Sequence, residues 1–250
     1  MKILFKPQTE WLPPEEFKDL SSYDEIAIDL ETKDPELKTM GSGSVTGQAE
    51  IVGIALAVEG WSAYYPIAHE GGGNMDRKKV MDYFRTVLNY SSTKIFHNAM
   101  YDVCFIRAAG LKINGTIVDT MIAGSLVNEN RFRYDLGSLG RDYLGKGKNE
   151  AVLLETAKQW GIDPKSEMYK LPAMYVGEYA ERDAELTLEL WQEMKKQMLA
   201  EEVTSIFELE TELFPCLVDM RFLGVRVDVE AANQLKHKLL TEEKECLQKV

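Results

Sequence analysis

The sequence predicts a layered α/β domain, and two observations support this prediction. Three segments near the start have the residue pattern of strands, at residues 25–31, 50–60 and 61–69. Strand-like and helix-like segments then alternate, which is typical of a sheet covered by helices. Only Glu59-Gly60, a tight turn, separates the second strand from the third, so the three predict an antiparallel meander.

The remaining elements are predicted from helical periodicity and from chain breaks. Residues 1–22 form a preamble, with Pro7, Pro13 and Pro14 as breakers and a short helix at residues 14–20. The elements expected after the meander are a helix at about residues 76–88, a strand at 94–97, a helix from about 98 and a strand at 116–119. The rest of the chain is mostly helical in pattern.

A change in composition near residue 200 divides the chain into three predicted regions, namely the preamble, a main domain at residues 23–199 and a helical segment at 200–250. In the last region, a helix interrupted by Pro215 and a turn at Gly224 precede a second helix. That helix runs to Val250 without a capping signal. We therefore expect either that the chain is cut within an element or that more protein follows.

Composition indicates a globular protein with one substantial core. The chain has 250 residues, 45% of them hydrophobic and 28% charged. No segment approaches the roughly 18 apolar residues of a membrane span, and the N-terminal apolar run is too short for a secretory signal. These features predict a cytoplasmic protein without a membrane partner. The three cysteines are widely spaced and indicate neither a disulfide framework nor a zinc site.

The formal net charge of −12 argues against a protein that grips nucleic acid with a broad basic surface. It does not exclude a nuclease, because carboxylates that hold divalent cations raise the acidic count. Small groups of basic residues occur at Lys146, Lys148 and residues 165–170. They either guide a single strand of nucleic acid or belong to a solvated loop.

A carboxylate on an apolar helical stripe is the first candidate functional group. At about 100° per residue, Asp183 falls in the middle of an inward stripe, with Tyr179 one turn before it. The acids Glu181, Glu185 and Glu189 point the other way. An inward carboxylate must be paired, hydrogen-bonded or bound to a metal. The plainer alternative is a buried salt bridge, for instance to an arginine from another element, with Tyr179 as an ordinary core aromatic.

Two other elements also direct acids inward. Asp29 and Glu31 lie on one side of the first strand, although such a pair is often only solvated. Asp102 shares a helix face with Asn98, where it is either a functional acid or a partner of the helix dipole. One metal site built by all three elements explains these acids together, because magnesium and manganese prefer oxygen ligands.

Three motifs carry a family resemblance. In this order, IAIDLET, IFHNAMYDVCFI and YAERDAELTLELW resemble the motifs of DEDD-type 3′–5′ exonucleases, in the subgroup with a tyrosine four residues before the last aspartate. The resemblance covers most of residues 22–195. The sequence of this region is similar to the proofreading domains of phage-type family-A DNA polymerases. The stretch ELETELFPCLVDMRFLGVRVDVE resembles the start of the polymerase module, whose catalytic motifs are absent.

The resemblance implies a ribonuclease-H-like fold and a role for each matching position. Two divalent ions, Mg²⁺ or Mn²⁺, are expected, with Asp29 bridging both. Glu31 and Asp183 would complete the first ion's ligands, and Asp102 would reach the second through water. Tyr179 would sit beside the attacking water.

Substrate contacts are implied in the same way. Asn98 and Tyr101 match positions that contact the terminal nucleotides, and Thr32 is a weaker candidate for that role. Asp119 matches a position near the site, but it is equally readily a cap for the next helix.

The resulting functional prediction is a metal-dependent 3′–5′ exonuclease. It would trim the 3′ end of single-stranded or frayed DNA and release nucleoside 5′-monophosphates, as the proofreading partner of a polymerase module in cis or in trans. If the chain is phage-encoded, the host cytoplasm is its location. One alternative is a ribonuclease-D-like enzyme that trims RNA 3′ ends. Another is a catalytically inactive structural module of a polymerase.

Overall fold

The computed structural model describes residues 9–248 and contains one five-stranded sheet within them. The first part of the predicted preamble, including Pro7, and the expected helix end at Val250 lie outside these residues. The strands are β1 (Glu25–Lys33), β2 (Glu50–Val58), β3 (Trp61–Pro66), β4 (Thr93–Phe96) and β5 (Ile117–Asp119). Their order across the sheet is β3-β2-β1-β4-β5.

Ten α-helices accompany the sheet within the same residues. They are α1 (Leu37–Met40), α2 (Gly43–Thr46), α3 (Arg77–Asn89), α4 (Ala99–Ala108), α5 (Thr120–Val127), α6 (Leu136–Leu144), α7 (Ala151–Trp160), α8 (Gly177–Ala200), α9 (Thr204–Leu223) and α10 (Val229–Leu247). Two short 3₁₀ helices lie at Met168–Lys170 and Ala173–Tyr175. None of these helices is both long and apolar enough to cross a membrane.

β1 lies in the centre of the sheet and joins its two halves. It pairs antiparallel with β2, which pairs antiparallel with β3, so the predicted meander is present. On its other side β1 pairs parallel with β4, and β4 with β5. The pairing register of β1 shifts between Glu31 and Thr32. A bulge at this point re-aims side chains at the end of the strand.

The longest helix, α8, packs on β1, β2 and β3 and against α5 and α6. Its predicted apolar stripe is buried, with Asp183 in the middle at 2% exposure. The prediction that Glu181 points away was wrong. Its carboxylate accepts hydrogen bonds from the indole of Trp11 at 2.9 Å and from the backbone N–H of Tyr64 at 3.0 Å. Among the described residues β3 is an edge strand, so the N–H of Tyr64 has no strand partner on its outer side and binds this acid instead.

The short helix predicted at residues 14–20 is also wrong, because side-chain contacts fix this segment in an irregular path. The ring of Phe17 stacks on Tyr65 at 5.5 Å between centroids, and the hydroxyl of Tyr83 donates to the carbonyl of Lys18 at 2.7 Å. These tertiary contacts override a weak local preference for helix.

The chain divides into two compact units, Met1–Val218 and Asp219–Val250. The first unit contains the sheet and the helices through α8. The predicted interruption at Pro215 is wrong, because α9 continues through this proline. A proline removes one hydrogen bond and bends a helix without necessarily ending it. In the second unit, α10 has no buried residue, and Asp228 caps its start by accepting from the N–H of Ala231 at 3.0 Å.

Candidate active site

Four acids from three elements meet beside the central strand. Asp29 and Glu31 project from β1, Asp102 from α4 and Asp183 from α8. The backbone N–H of Leu30 donates to Oδ1 of Asp102 at 3.0 Å, which ties α4 directly to β1. The charges of the other three acids all raise the pKa of Glu31, so the four carboxylates lie within electrostatic range of one another.

The acids share an environment that disfavours negative charge. Burial, followed by the charge of Asp183, raises the pKa of Asp29 to about 7. Burial and the charge of Asp29 raise the pKa values of Glu31 and Asp102 well above their usual range. Like charges in a weakly solvated place favour the protonated form. At neutral pH the cluster therefore needs protons or cations to compensate its charge.

Lys148, from a segment for which the sequence predicts no helix or strand, completes the cluster. Nζ of Lys148 donates to Oδ2 of Asp183 at 2.5 Å and approaches the Tyr179 hydroxyl at 3.5 Å. Burial lowers the pKa of Lys148, but the charge and hydrogen bond of Asp183, together with the charges of Asp29 and Glu31, outweigh burial, and the net change is upward. The stretch GKGKNE has no periodicity, so the sequence does not distinguish Lys148 from a solvated lysine. The salt-bridge alternative for Asp183 is confirmed, with Lys148 as the partner.

The donor chemistry of the cluster fits divalent cations. Among residues 9–248, Oδ1 of Asp183 is buried and has no hydrogen-bond partner, and a buried lone acceptor is stabilised when it binds a cation. Carboxylate oxygens are hard ligands of the kind that magnesium and manganese prefer. As the side chains stand, no group of three or more His, Cys, Asp or Glu residues within 9–248 has the spacing of a closed metal site. Lys148 already engages the other oxygen of Asp183.

Tyr179 lies next to Asp183 with its hydroxyl protonated. Burial, and then the charge of Asp183, raise the pKa of Tyr179 well above its usual range. Its ring centroid is 5.3 Å from Nζ of Lys148, which places an ammonium group over the ring. The hydroxyl can therefore donate or accept a hydrogen bond, but it cannot act as a base near neutral pH.

The residues expected to contact nucleotides lie at the accessible side of α4. The hydroxyl groups of Thr32 and Tyr101 are 2.8 Å apart, so these two residues are brought together. Asn98 is exposed and precedes α4 in a left-handed conformation, with φ of 63°. This conformation is uncommon for residues other than glycine, although asparagine tolerates it best.

Asp119 acts as a cap for two helices. Its Oδ1 accepts from the N–H of Asn98 at 2.9 Å and of Met121 at 2.8 Å, and its Oδ2 accepts from the N–H of Ala99 at 2.8 Å. The capping interpretation of the sequence is thus confirmed for α5 and extends to α4. Because the start of α4 is fixed in this way, Asp119 also orients the helix that carries Asp102.

Comparisons with known proteins identify the family of this chain. A family model for a 3′–5′ exonuclease matches residues 6–199. The DNA-directed DNA polymerase of Pseudomonas phage M6 is 32% identical over 250 residues, covering 97% of this chain and 38% of that protein. The chain therefore spans well under half of the relative's length.

Two solved structures share the fold. Brucella melitensis NrnC with bound Mg²⁺ superposes with a TM-score of 0.58 at 17% identity, over 82% of this chain and 89% of that one. Escherichia coli RNase D, an exoribonuclease, superposes with a TM-score of 0.53 at 16% identity, over 82% of this chain and 47% of that one. These similarities, with the mixed sheet flanked by helices, confirm the predicted ribonuclease-H-like α/β fold.

Proposed function

The chain belongs to the family of 3′–5′ exonuclease domains found in family-A DNA polymerases, and we propose that it trims the 3′ end of single-stranded or frayed DNA to nucleoside 5′-monophosphates. One observation carries this proposal. Four carboxylates and a protonated tyrosine from three separate elements lie close together within the matched residues, with Glu31, Asp102 and Asp183 buried and Asp29 and Tyr179 half-buried. Such a concentration of acids is destabilising unless it serves a cationic ligand.

We assign the acids to two divalent ions, Mg²⁺ or Mn²⁺. Asp29, Glu31 and Asp183 would hold one ion, and Asp29 and Asp102 would hold the other. When bound, two such ions lower the pKa of a water and stabilise the leaving 3′ oxygen of a phosphodiester. Divalent metals are general in this family, and the similar NrnC structure contains Mg²⁺.

The proposed role of Tyr179 is to orient the attacking water. Its hydroxyl remains protonated because burial and Asp183 both raise its pKa, so it cannot accept the water's proton as a base. A hydrogen bond from this fixed hydroxyl would instead hold the water in line with the scissile bond. Orientation of this kind lowers the entropic part of the barrier.

The DNA strand is proposed to enter past the accessible residues Thr32, Asn98 and Tyr101. A second contact is offered by Phe132, whose side chain is fully exposed and is followed by Arg133 in the loop between α5 and α6. Burial lowers the pKa of His97, the neighbour of Asn98, to about 4, and the backbone of Tyr134 opposes this shift, so the loop lies close to His97. An exposed aromatic beside an arginine suits the stacking of unpaired bases.

DNA is preferred to RNA as the substrate because the relatives detected by sequence are DNA polymerases. RNase D shares the fold, which leaves RNA trimming as the second candidate. An inactive structural role is disfavoured because the four acids and Tyr179 are all present. We further propose that a polymerase module acts with the domain, in cis or in trans. The phage relatives make the host cytoplasm its proposed location.

The decisive experiment follows release of a 3′-terminal label from a single strand with and without Mg²⁺. Wild type should release the label only with the metal, and Asp29→Ala should be inactive. Asp24→Ala is the matched control, because Asp24 is an exposed acid just before the same strand. A strand of RNA with the same sequence should be a poorer substrate. Metal-independent release, or full activity of Asp29→Ala, would refute the proposal.

A further inference from the structure

The contact between Lys148 and Asp183 differs from the other lysine contacts of this loop. The two side chains are 21% and 3% exposed, so the ion pair is largely withdrawn from water. Two residues earlier, Nζ of Lys146 bonds Glu189 at 2.9 Å, with the side chains 53% and 34% exposed. A buried lysine loses its hydration, and an exposed one does not. The position of Lys148 therefore calls for a specific explanation.

We propose that Lys148 is an internal counter-cation that competes with a divalent ion for Asp183 and so sets the affinity of the site for metal. The inference rests on the proposed function in taking Asp183 to be an ion ligand. It goes beyond that function in assigning a role to a residue outside the acids and Tyr179.

Competition follows from the position of the ammonium group. Nζ bonds Oδ2 of Asp183 directly, and its charge also acts on Asp29 and Glu31. An ion bound by these acids would meet a like charge at contact distance, so the ammonium must withdraw as the ion enters. Lys148 and the ion thus neutralise the same carboxylate, but not at the same time.

The loop around Lys148 permits this withdrawal. Gly145 ends α6 with φ of 65°, and Gly147 directly precedes the lysine. In the part of the chain that the structure describes, no atom lies within 4 Å of the positions that Cβ atoms would occupy on these two glycines, so the loop has free space at these two points. The lysine side chain also lets the ammonium group move, because it is a flexible chain of four carbon atoms. The ammonium can leave Asp183 without disturbing the helices.

A purely structural role for Lys148 predicts the opposite result for metal binding. If the lysine only held Asp183 in a competent position, its removal would disorder a ligand and weaken the binding of metal. If it competes, its removal leaves an uncompensated carboxylate and strengthens binding. The sign of the change in affinity therefore separates the two roles.

The test is calorimetric titration of the full chain with Mn²⁺, without DNA, at fixed pH and salt. Lys148→Met should bind Mn²⁺ about ten-fold more tightly than wild type or better, since a charged hydrogen bond contributes at least that factor to an equilibrium constant. Lys148→Gln provides a second neutral variant should the methionine variant fold poorly. Lys148→Arg, which keeps the charge, should stay near wild type. Lys146→Met is the matched control and should be unchanged.

Thermal unfolding gives an independent readout. In EDTA, Lys148→Met should unfold at a lower temperature than wild type, because Asp183 loses its buried partner. Saturating Mn²⁺ should remove or reverse that difference. Equal or weaker Mn²⁺ binding by both neutral variants would overturn the inference while leaving the proposed function intact. Failure of wild type itself to bind Mn²⁺ would overturn both.

Discussion

Acidification should destabilise the folded chain through His69, a buried imidazole at the end of the meander. Its Nε2 lies 2.7 Å from the hydroxyl of Tyr64, and its Nδ1 lies 3.0 Å from the carbonyl of Leu171. The residue is 3% exposed, and burial lowers its pKa from 6.5 to about 4, against an opposing effect of the Leu171 carbonyl. The folded protein thus keeps this ring neutral where an unfolded chain would protonate it.

The sign and size of the effect follow from this difference. Between pH 6.5 and about 4, the unfolded state binds a proton at His69 that the folded state does not. The contribution of His69 to the unfolding free energy is therefore fully present above pH 6.5 and is lost as the pH falls towards 4. At about 1.4 kcal/mol per pH unit, the interval corresponds to about 3 kcal/mol of unfolding free energy.

Urea unfolding of wild type and His69→Gln between pH 8 and pH 4 measures this contribution. Glutamine can hydrogen-bond to both partners but does not titrate. Subtracting the two curves of unfolding free energy against pH removes the contribution of the carboxylates of the site. That contribution is common to both proteins, because the raised pKa values of these carboxylates favour the folded state at low pH in each. The unfolding free energy of wild type minus that of His69→Gln should fall by about 3 kcal/mol between pH 8 and pH 4. His237→Gln, at an exposed histidine, should show no such change. A constant difference between wild type and His69→Gln would refute the reasoning.

Three further predictions concern single side chains. Tyr179→Phe should slow hydrolysis by about ten-fold or more yet keep Mn²⁺ binding, measured by single-turnover kinetics and titration. Lys94→Met should lower the unfolding free energy by about 3 kcal/mol in urea, because the fully buried ammonium donates to three backbone carbonyl groups at 2.6–2.9 Å. Phe132→Ala should raise KM for a single strand several-fold at constant kcat, whereas Phe17→Ala, at another exposed phenylalanine, should not.

The sheet and the positions of the acids could be predicted because both follow from local periodicity. Alternation of apolar residues identified β1, and two strand-like segments on either side of the Glu59-Gly60 turn identified β2 and β3 and predicted their antiparallel order. Helical periodicity placed Asp183 inward on α8, where it is 2% exposed. Side-chain direction along a regular element depends only on the element's own repeat, so the sequence contains it.

Contacts made by irregular segments could not be predicted in this way. Lys148 lies in a loop without a repeat, so its approach to Asp183 depends on where α6 and α8 bring the chain. Glu181 points away from the apolar stripe by periodicity, but the edge of β3 offers it a free N–H. In both cases the partner comes from a distant part of the chain. Local pattern contains no information about such partners.

The acids of the site also differ in what their removal does to the fold, which decides how variants should be interpreted. Asp102 accepts a hydrogen bond from the buried N–H of Leu30. Its substitution by alanine leaves this donor unpaired and lowers the unfolding free energy by about 1–3 kcal/mol. Among the side-chain hydrogen bonds of residues 9–248, none is accepted by the carboxylate of Asp29, which is repelled by the neighbouring acids Asp183 and Glu31. Substitution of Asp29 therefore removes a ligand and a repulsive charge without breaking a structural bond. Loss of hydrolysis in Asp29→Ala reports on the chemistry of the site, whereas the same loss in Asp102→Ala combines chemistry with a displaced α4.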